Sequence, residues 1–277
     1  MKKVLFIFFG FLVFSSIVVS KQTDTDMFVQ KYLLPTVMIK SVSENSSGSG
    51  VIVFSEKFKN KDDFFNIVYS CSHILKEKDQ LINVSNYDSN GIFISYDTYK
   101  SIIFSKNDEH DVSILFFLSD KKMAVANIDY NYTPKIKDEV FCIGHGLGDT
   151  ARLSTGLITG ATRKGNSIEE IRTSVPIVFG DSGGPLFHKD KIIGISHAIK
   201  NAQSGQGTNL PVYNISIFKS LKTCNKFAID CYLLKDENKL IKLAKEMSMS
   251  GSDVHDLKIK INELVKDIDR CIDLLNE

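Results

Sequence analysis

Gly180-Asp181-Ser182-Gly183-Gly184-Pro185 is the stretch on which the fold turns. It reads as a loop that presents a nucleophilic serine. A serine hydroxyl is a poor nucleophile at neutral pH, so it needs a base beside it and a place for an oxyanion to form. Glycines around Ser182 permit tight backbone turns that side chains would block. They also let backbone N–H groups point at a substrate carbonyl. Taken alone, the same six residues also read as a glycine-rich turn between two strands, so the choice rests on partners elsewhere in the chain.

A nucleophile of this kind needs a histidine base and a carboxylate that orients it. His73 ends Asn66-Ile67-Val68-Tyr69-Ser70-Cys71-Ser72, an apolar, β-branched run that reads as a strand delivering the histidine to a loop. Asp111 opens Asp111-Val112-Ser113-Ile114-Leu115-Phe116-Phe117-Leu118. An acid at the mouth of a buried strand is costly without a partner. Each residue alone also reads as an ordinary cap at a strand end. Asp108 and Glu109 sit in a polar loop and are weaker candidates. The order His73, Asp111, Ser182 is the order of the chymotrypsin fold, whereas unrelated folds with the same chemistry use other orders.

On these three blocks the chain resembles the trypsin-like serine peptidases. Gly48-Ser49-Gly50-Val51-Ile52-Val53 is similar to the glycine-led strand before the histidine block in HtrA-type members. Cys142 to Gly148 resembles the loop entering the second barrel, and Ser154 to Thr159 the strand after it. Ile192 to Ile199 resembles the substrate-lining strand, and Asn209-Leu210-Pro211-Val212 the closing strand. The resemblance covers roughly residues 30 to 222 and is nearer to compact bacterial and viral members than to digestive enzymes. It implies an all-β fold of two six-stranded antiparallel β-barrels, chymotrypsin-like, with His73 and Asp111 on the first and Ser182 on the second. It implies an endopeptidase with protein or peptide substrates, no cofactor, and an oxyanion hole from the N–H groups of Gly180 and Ser182. It also implies a pocket wall that includes Pro176, Phe179, Ile195, His197 and Ile199. Pro176 falls where trypsin carries the acid that selects Lys or Arg, so small or aliphatic residues are expected at the cleavage site. His197 can instead favour an acidic residue, although its register looks one residue off. An esterase and a silent protease-like scaffold are the alternatives.

One departure is informative. Digestive enzymes pair the aspartate before the serine with a new N-terminal amine after an Ile-Val-Gly-Gly-like cut. The chain has no such segment, so Asp181 is expected to bond to backbone amides or to a local cation, or to stay solvated, and activation is expected not to use that switch.

Net charge is +1, and only Arg152, Arg163, Arg172 and Arg270 are arginine among 34 basic residues. Nothing there suggests a nucleic-acid partner. No metal-ligand spacing or phosphate-binding loop is evident. Lys2 and Lys3 followed by the apolar run Val4 to Val19 read as a signal peptide over residues 1–20, with an uncleaved anchor as the alternative. Export permits disulfides. Cys71, Cys142, Cys224, Cys231 and Cys271 are odd in number, so at least one is unpaired within the chain. Cys224 and Cys231 are close enough to bridge, while Cys71 reads as a small buried hydrophobe.

Residues 21–29 read as a polar, flexible lead and 30–222 as the protease domain, with short β-branched runs between turn clusters. The period changes in the helical tail, 223–277. Leu240, Leu243, Ala244 and Met247 recur at helical spacing, and Val254, Leu257, Ile261, Leu264, Ile268, Cys271 and Leu275 form a heptad seam. The tail reads either as a self-association helix or as a hairpin packing locally. It is too short and too helical for the PDZ domain that HtrA-like proteins carry here.

Overall fold

The computed structural model describes residues 24–41, 46–57, 62–75, 79–88, 90–165, 167–201 and 214–221. The signal segment, the cysteines at 224, 231 and 271, and the helical tail lie outside them. Among the described residues no helix is long and apolar enough to cross a membrane.

Twelve strands close into two barrels of six. The first comprises β1 (Thr36–Ser41), β2 (Ser47–Lys57), β3 (Phe64–Ser70), β4 (Asp79–Tyr87), β5 (Phe93–Asn107) and β6 (Val112–Ser119). The second comprises β7 (Glu139–Gly144), β8 (Arg152–Lys164), β9 (Ser167–Thr173), β10 (Pro185–His188), β11 (Lys191–Asn201) and β12 (Asn214–Ser220). All strand pairings within the barrels are antiparallel. Closure leaves no free sheet edge, which is how short strands of this length avoid edge-to-edge association.

The period of two in β3 and β6 divides their side chains between two cores. Val68, Leu115 and Phe117 point into the first barrel, where they pack with Val37, Ile52 and Ile82. Phe65, Ile67, Tyr69, Val112, Ile114 and Phe116 point the other way, into a core shared with Ile143, Phe187, Ile192 and Ile195 of the second barrel. Both faces of β3 and β6 are therefore covered, which explains why they read as unbroken apolar runs rather than alternating ones. A third core fills the second barrel around Val140, Ile158, Ile171 and Phe218. Burying each of these large side chains contributes about 1.5–3 kcal/mol.

Residues 24–29, expected as a flexible lead, are helical: 24–28 form an α-helical turn that continues as a π-helical turn, Val29–Leu33. The reason lies at the end of that polar stretch. Phe28 and Tyr32 meet at 5.1 Å with their rings tilted, and Tyr32 meets Phe141 of β7 and Phe187 of β10 edge-on at 5.2 and 5.1 Å. Such aromatic pairs add about 0.5–1.5 kcal/mol each beyond their buried area, enough to fix a segment whose first residues are polar.

Strand register carries the chain to the site. Ser70 pairs with Ser113 across β3 and β6. The turn that leaves β3 and the turn that enters β6 therefore lie side by side, and His73 stands next to Asp111.

Candidate active site

Asp111 occupies the last position of the β5–β6 turn with φ 51°, a left-handed conformation that aspartate tolerates better than most residues. Its carboxylate is buried and saturated with donors. Oδ1 accepts the backbone N–H of Ser72 at 3.0 Å, the Ser72 hydroxyl at 3.1 Å and the backbone N–H of His73 at 2.8 Å. Oδ2 accepts Nδ1–H of His73 at 2.8 Å. Burial alone would raise the affinity of Asp111 for a proton, but hydrogen bonds from His197 and His73 outweigh it and hold the carboxyl well below the usual carboxylate range. An ionised carboxylate only accepts, so the His73 proton sits on Nδ1. Nε2 is left with a lone pair, and it stands 3.2 Å from Ser182 Oγ.

A stability consequence follows from the Asp111 shift. A group whose folded-state affinity for protons is depressed contributes stability above its unfolded value and loses it as pH falls through the folded value. For Asp111 that window starts in the ordinary carboxylate range and extends to more acidic pH. Asp111→Asn is expected to lower the melting temperature at pH 7 and to flatten its decline on acidification. Parallel wild-type and variant melting curves between pH 7 and pH 3, with a constant gap, would contradict this.

Ser182 is held by contacts from both barrels. Its carbonyl accepts the backbone N–H of Ser49 on β2 at 2.7 Å. The Ser49 hydroxyl donates to the Gly180 carbonyl at 2.7 Å and accepts the His145 N–H at 2.8 Å. On the second barrel, Gly183 N–H donates to the Ser196 carbonyl and Ser196 N–H to the Gly184 carbonyl, each at 2.8 Å. Gly183 has φ 87°, and a Cβ there would lie 2.1 Å from the Ser49 carbonyl oxygen, so only glycine fits. The Phe179 carbonyl is taken by Leu147 N–H at 2.6 Å. In a planar trans peptide the N–H points opposite to the carbonyl, so the Gly180 N–H faces away from the 145–147 loop. Among the described residues, neither the Gly180 nor the Ser182 N–H has a protein acceptor. The arrangement leaves two free donors beside a hydroxyl that faces a proton acceptor.

Asp181 finds both a cation and an amide. Its Oδ2 pairs with Nη2 of Arg152, the first residue of β8, and accepts the Val178 N–H at 2.9 Å. Its side chain is only 3% exposed. Gly144 and Gly146 make room for this pair, since a Cβ at either would press within 2.6 Å of Asp181 Oδ1 or 2.7 Å of Arg152 Nε. Neither Ser49 nor Arg152 stands out in the sequence as part of a site. The glycines around them were the available signal, because each marks a close approach that requires a missing side chain.

The expected pocket wall separates into parts. Pro176 and Phe179 are exposed, Phe179 at 86%. Ile195 is a correction: it is fully buried in the core between the barrels and cannot touch a substrate. Ile199 lies on β11, paired with Ser216. His197 is also turned elsewhere. The pairing of β11 with β12 shifts between Ser196 and Ala198, leaving His197 as the extra residue of a β-bulge. A bulge re-aims a side chain, and here it brings His197 Nδ1 into hydrogen-bonding contact with Asp111 Oδ2, beside His73.

Cys71 and Cys142 are both buried and unbridged. Burial pushes each thiol's pKa well up, with Asp111 adding to the effect on Cys71 and Asp181 on Cys142. Cys71, His73 and Asp111 bring donor atoms within 4.8 Å of one another. As a metal site the set is poor, because the thiol resists ionisation and His73 is engaged with Asp111 and Ser182.

The profile of the trypsin-like peptidase domain matches residues 48–195, more than half of the chain. A probable periplasmic DegP-like serine endoprotease of Buchnera aphidicola (subsp. Schizaphis graminum) is 31% identical over 114 residues, covering 39% of this chain and 23% of that protein. The chloroplastic protease Do-like 1 of Arabidopsis thaliana is 34% identical over 128 residues, 37% of this chain and 28% of its own. The serine protease Do-like HtrA of Bacillus subtilis is 31% identical over 165 residues, 56% and 34% respectively. The chain thus aligns with between 23% and 34% of the length of these relatives. The crystal structure of a serine endoprotease from Yersinia pestis superimposes with a TM-score of 0.55 at 18% identity, over 75% of this chain and 66% of that one, and so shares the fold. With its two closed barrels and the profile match across both, this chain belongs to the trypsin-like peptidase family.

Proposed function

We propose that this chain is an exported serine endopeptidase in which His73, Asp111 and Ser182 form the catalytic triad. The observation that carries this reading is His73, with Nδ1 at 2.8 Å from Asp111 and Nε2 at 3.2 Å from Ser182 Oγ. His73 removes the hydroxyl proton as Ser182 Oγ attacks a peptide carbonyl, and Asp111 stabilises the imidazolium that results. The N–H groups of Gly180 and Ser182 hold the oxyanion. His73 then passes its proton to the leaving amine, and water, activated by the same imidazole, releases the acyl group. None of these steps needs a cofactor. The acyl side of the substrate is read by Pro176 and Phe179, with a preference for small or aliphatic residues. Export rests on the leader-like residues 1–20 and on similarity to a relative described as periplasmic. The heptad seam of 254–275 serves either self-association or local packing of the tail, and the mass in solution with and without residues 236–277 decides between them.

The test is labelling by a serine-directed phosphonate, with Ser182→Ala as control, followed by a digest of denatured protein. Labelling of Ser182 with cleavage of the protein is expected. Labelling without cleavage points to an esterase or a protease of very narrow specificity, and absence of labelling points to a silent scaffold.

A further inference from the structure

We infer that His197 is a positioning residue for the reaction: a second imidazole, bonded to the same carboxylate oxygen as His73, that fixes Asp111 and shares its charge. The inference rests on the triad reading above. Asp111 Oδ1 already holds three donors from Ser72 and His73. The donors that remain, Nδ1 of His73 and Nδ1 of His197, meet on Oδ2. Their rings stand edge to face with centroids 6.5 Å apart. Among the described residues the neighbouring Ser196 hydroxyl is buried without a partner, so the donor that β11 offers Asp111 is the imidazole of the bulge residue.

Two physical effects follow. The first is geometric. Ser196 on β11 already grips the Ser182 loop through two backbone hydrogen bonds of 2.8 Å. With His197 gripping Asp111, adjacent residues of one strand hold both the nucleophile of the second barrel and the acid of the first. The bulge thus adds a tie across the barrel interface to those that Ser49 already makes. The second effect is electrostatic. A carboxylate that accepts two N–H groups on one oxygen has less charge to offer the His73 imidazolium than one that accepts a single N–H. Among the described residues, His73 and Cys71 from the turn after β3 and His197 itself stand around this oxygen, and His110 precedes Asp111 in its turn. Behind His110 stand Glu169 of β9 at 3.5 Å and, beyond it, Lys219 of β12.

The test compares the pH profile of kcat/KM for the wild type, His197→Phe and His197→Asn, alongside low-field proton NMR. Phenylalanine keeps a ring without a donor, and asparagine restores a neutral N–H donor. His197→Phe is expected to lower kcat by about tenfold to a hundredfold at little-changed KM. It is also expected to move the acid limb of the profile to higher pH, because the undivided carboxylate then favours protonated His73. His197→Asn is expected to restore both. A change in KM alone would make His197 a pocket residue instead. A lowered melting temperature with an unmoved profile would leave it a packing residue. The NMR readout does not depend on turnover: two low-field imidazole N–H signals are expected, both lost in Asp111→Asn. A single such signal would overturn the shared pairing even in a protein that cleaves nothing, whereas two signals without any hydrolysis would count against the peptidase reading alone.

Discussion

Ser182→Ala and His73→Ala are each expected to lower peptide-bond turnover by on the order of 10⁴-fold or more, and the double variant by little beyond either. The non-additivity is the informative part. With the hydroxyl gone, the lone pair of His73 Nε2 at 3.2 Å has no proton to take. With the imidazole gone, the hydroxyl remains protonated at neutral pH and attacks slowly. Each loss disables the same step, so the second adds nothing. The free N–H groups of Gly180 and Ser182 survive both changes, and a residual rate above the uncatalysed one is expected from them. Single-turnover assays on a peptide ester and on a peptide amide measure both outcomes. Full activity in Ser182→Ala would remove Ser182 from the mechanism, and strictly additive losses would mean that the two residues act in different steps.

Arg152→Ala is expected to lower kcat by about 10²- to 10³-fold while the barrels remain folded. The Asp181 carboxylate is buried, and its recorded partners are the Arg152 guanidinium and the Val178 N–H. Removing one partner of a buried ion pair leaves an uncompensated charge and costs about 3–5 kcal/mol, less where one partner reaches solvent. Arg152 is 37% exposed, so roughly 2 kcal/mol is the appropriate scale. The carboxylate escapes that cost by turning out to water, and Gly180 and Ser182, its immediate neighbours, move with it. Their two N–H groups then no longer converge. Arg152→Lys restores the charge without the planar fork and is expected to recover part of the loss. Thermal melting of Arg152→Ala separates this local effect from global unfolding. Unchanged kcat with a normal melting curve would show that the loop holds its shape without the pair.

The Arg152–Asp181 pair also bears on activation. In digestive enzymes the aspartate before the serine waits for a new N-terminal amine. Here Asp181 already pairs with the guanidinium of Arg152, the first residue of β8. The loop from Gly180 to Pro185 is therefore expected to be competent once both barrels have closed, and activity is expected without a cut after Lys or Arg.

Motif blocks, their order and their periodicity were legible in the sequence because they are local properties of the chain. The apolar runs of β3 and β6 announced buried strands, and the His73, Asp111, Ser182 order pointed to the two-barrel fold that the strands adopt. What sequence reading missed has one physical cause: it depends on atoms far apart in the chain. Arg152 meets Asp181 only because the β7–β8 turn folds under the nucleophile loop. Ser49 reaches Gly180 across 131 positions. Ile195 reads as a pocket residue in the linear motif, yet it packs into the core between the barrels. His197 sits at a bulge and turns to Asp111. Residue types and their order thus determined the fold and the three residues of the proposed triad. Only the tertiary structure decided which side chains support them, because a bulge, a barrel closure and a buried ion pair are set by register and packing between strands rather than by neighbours in sequence.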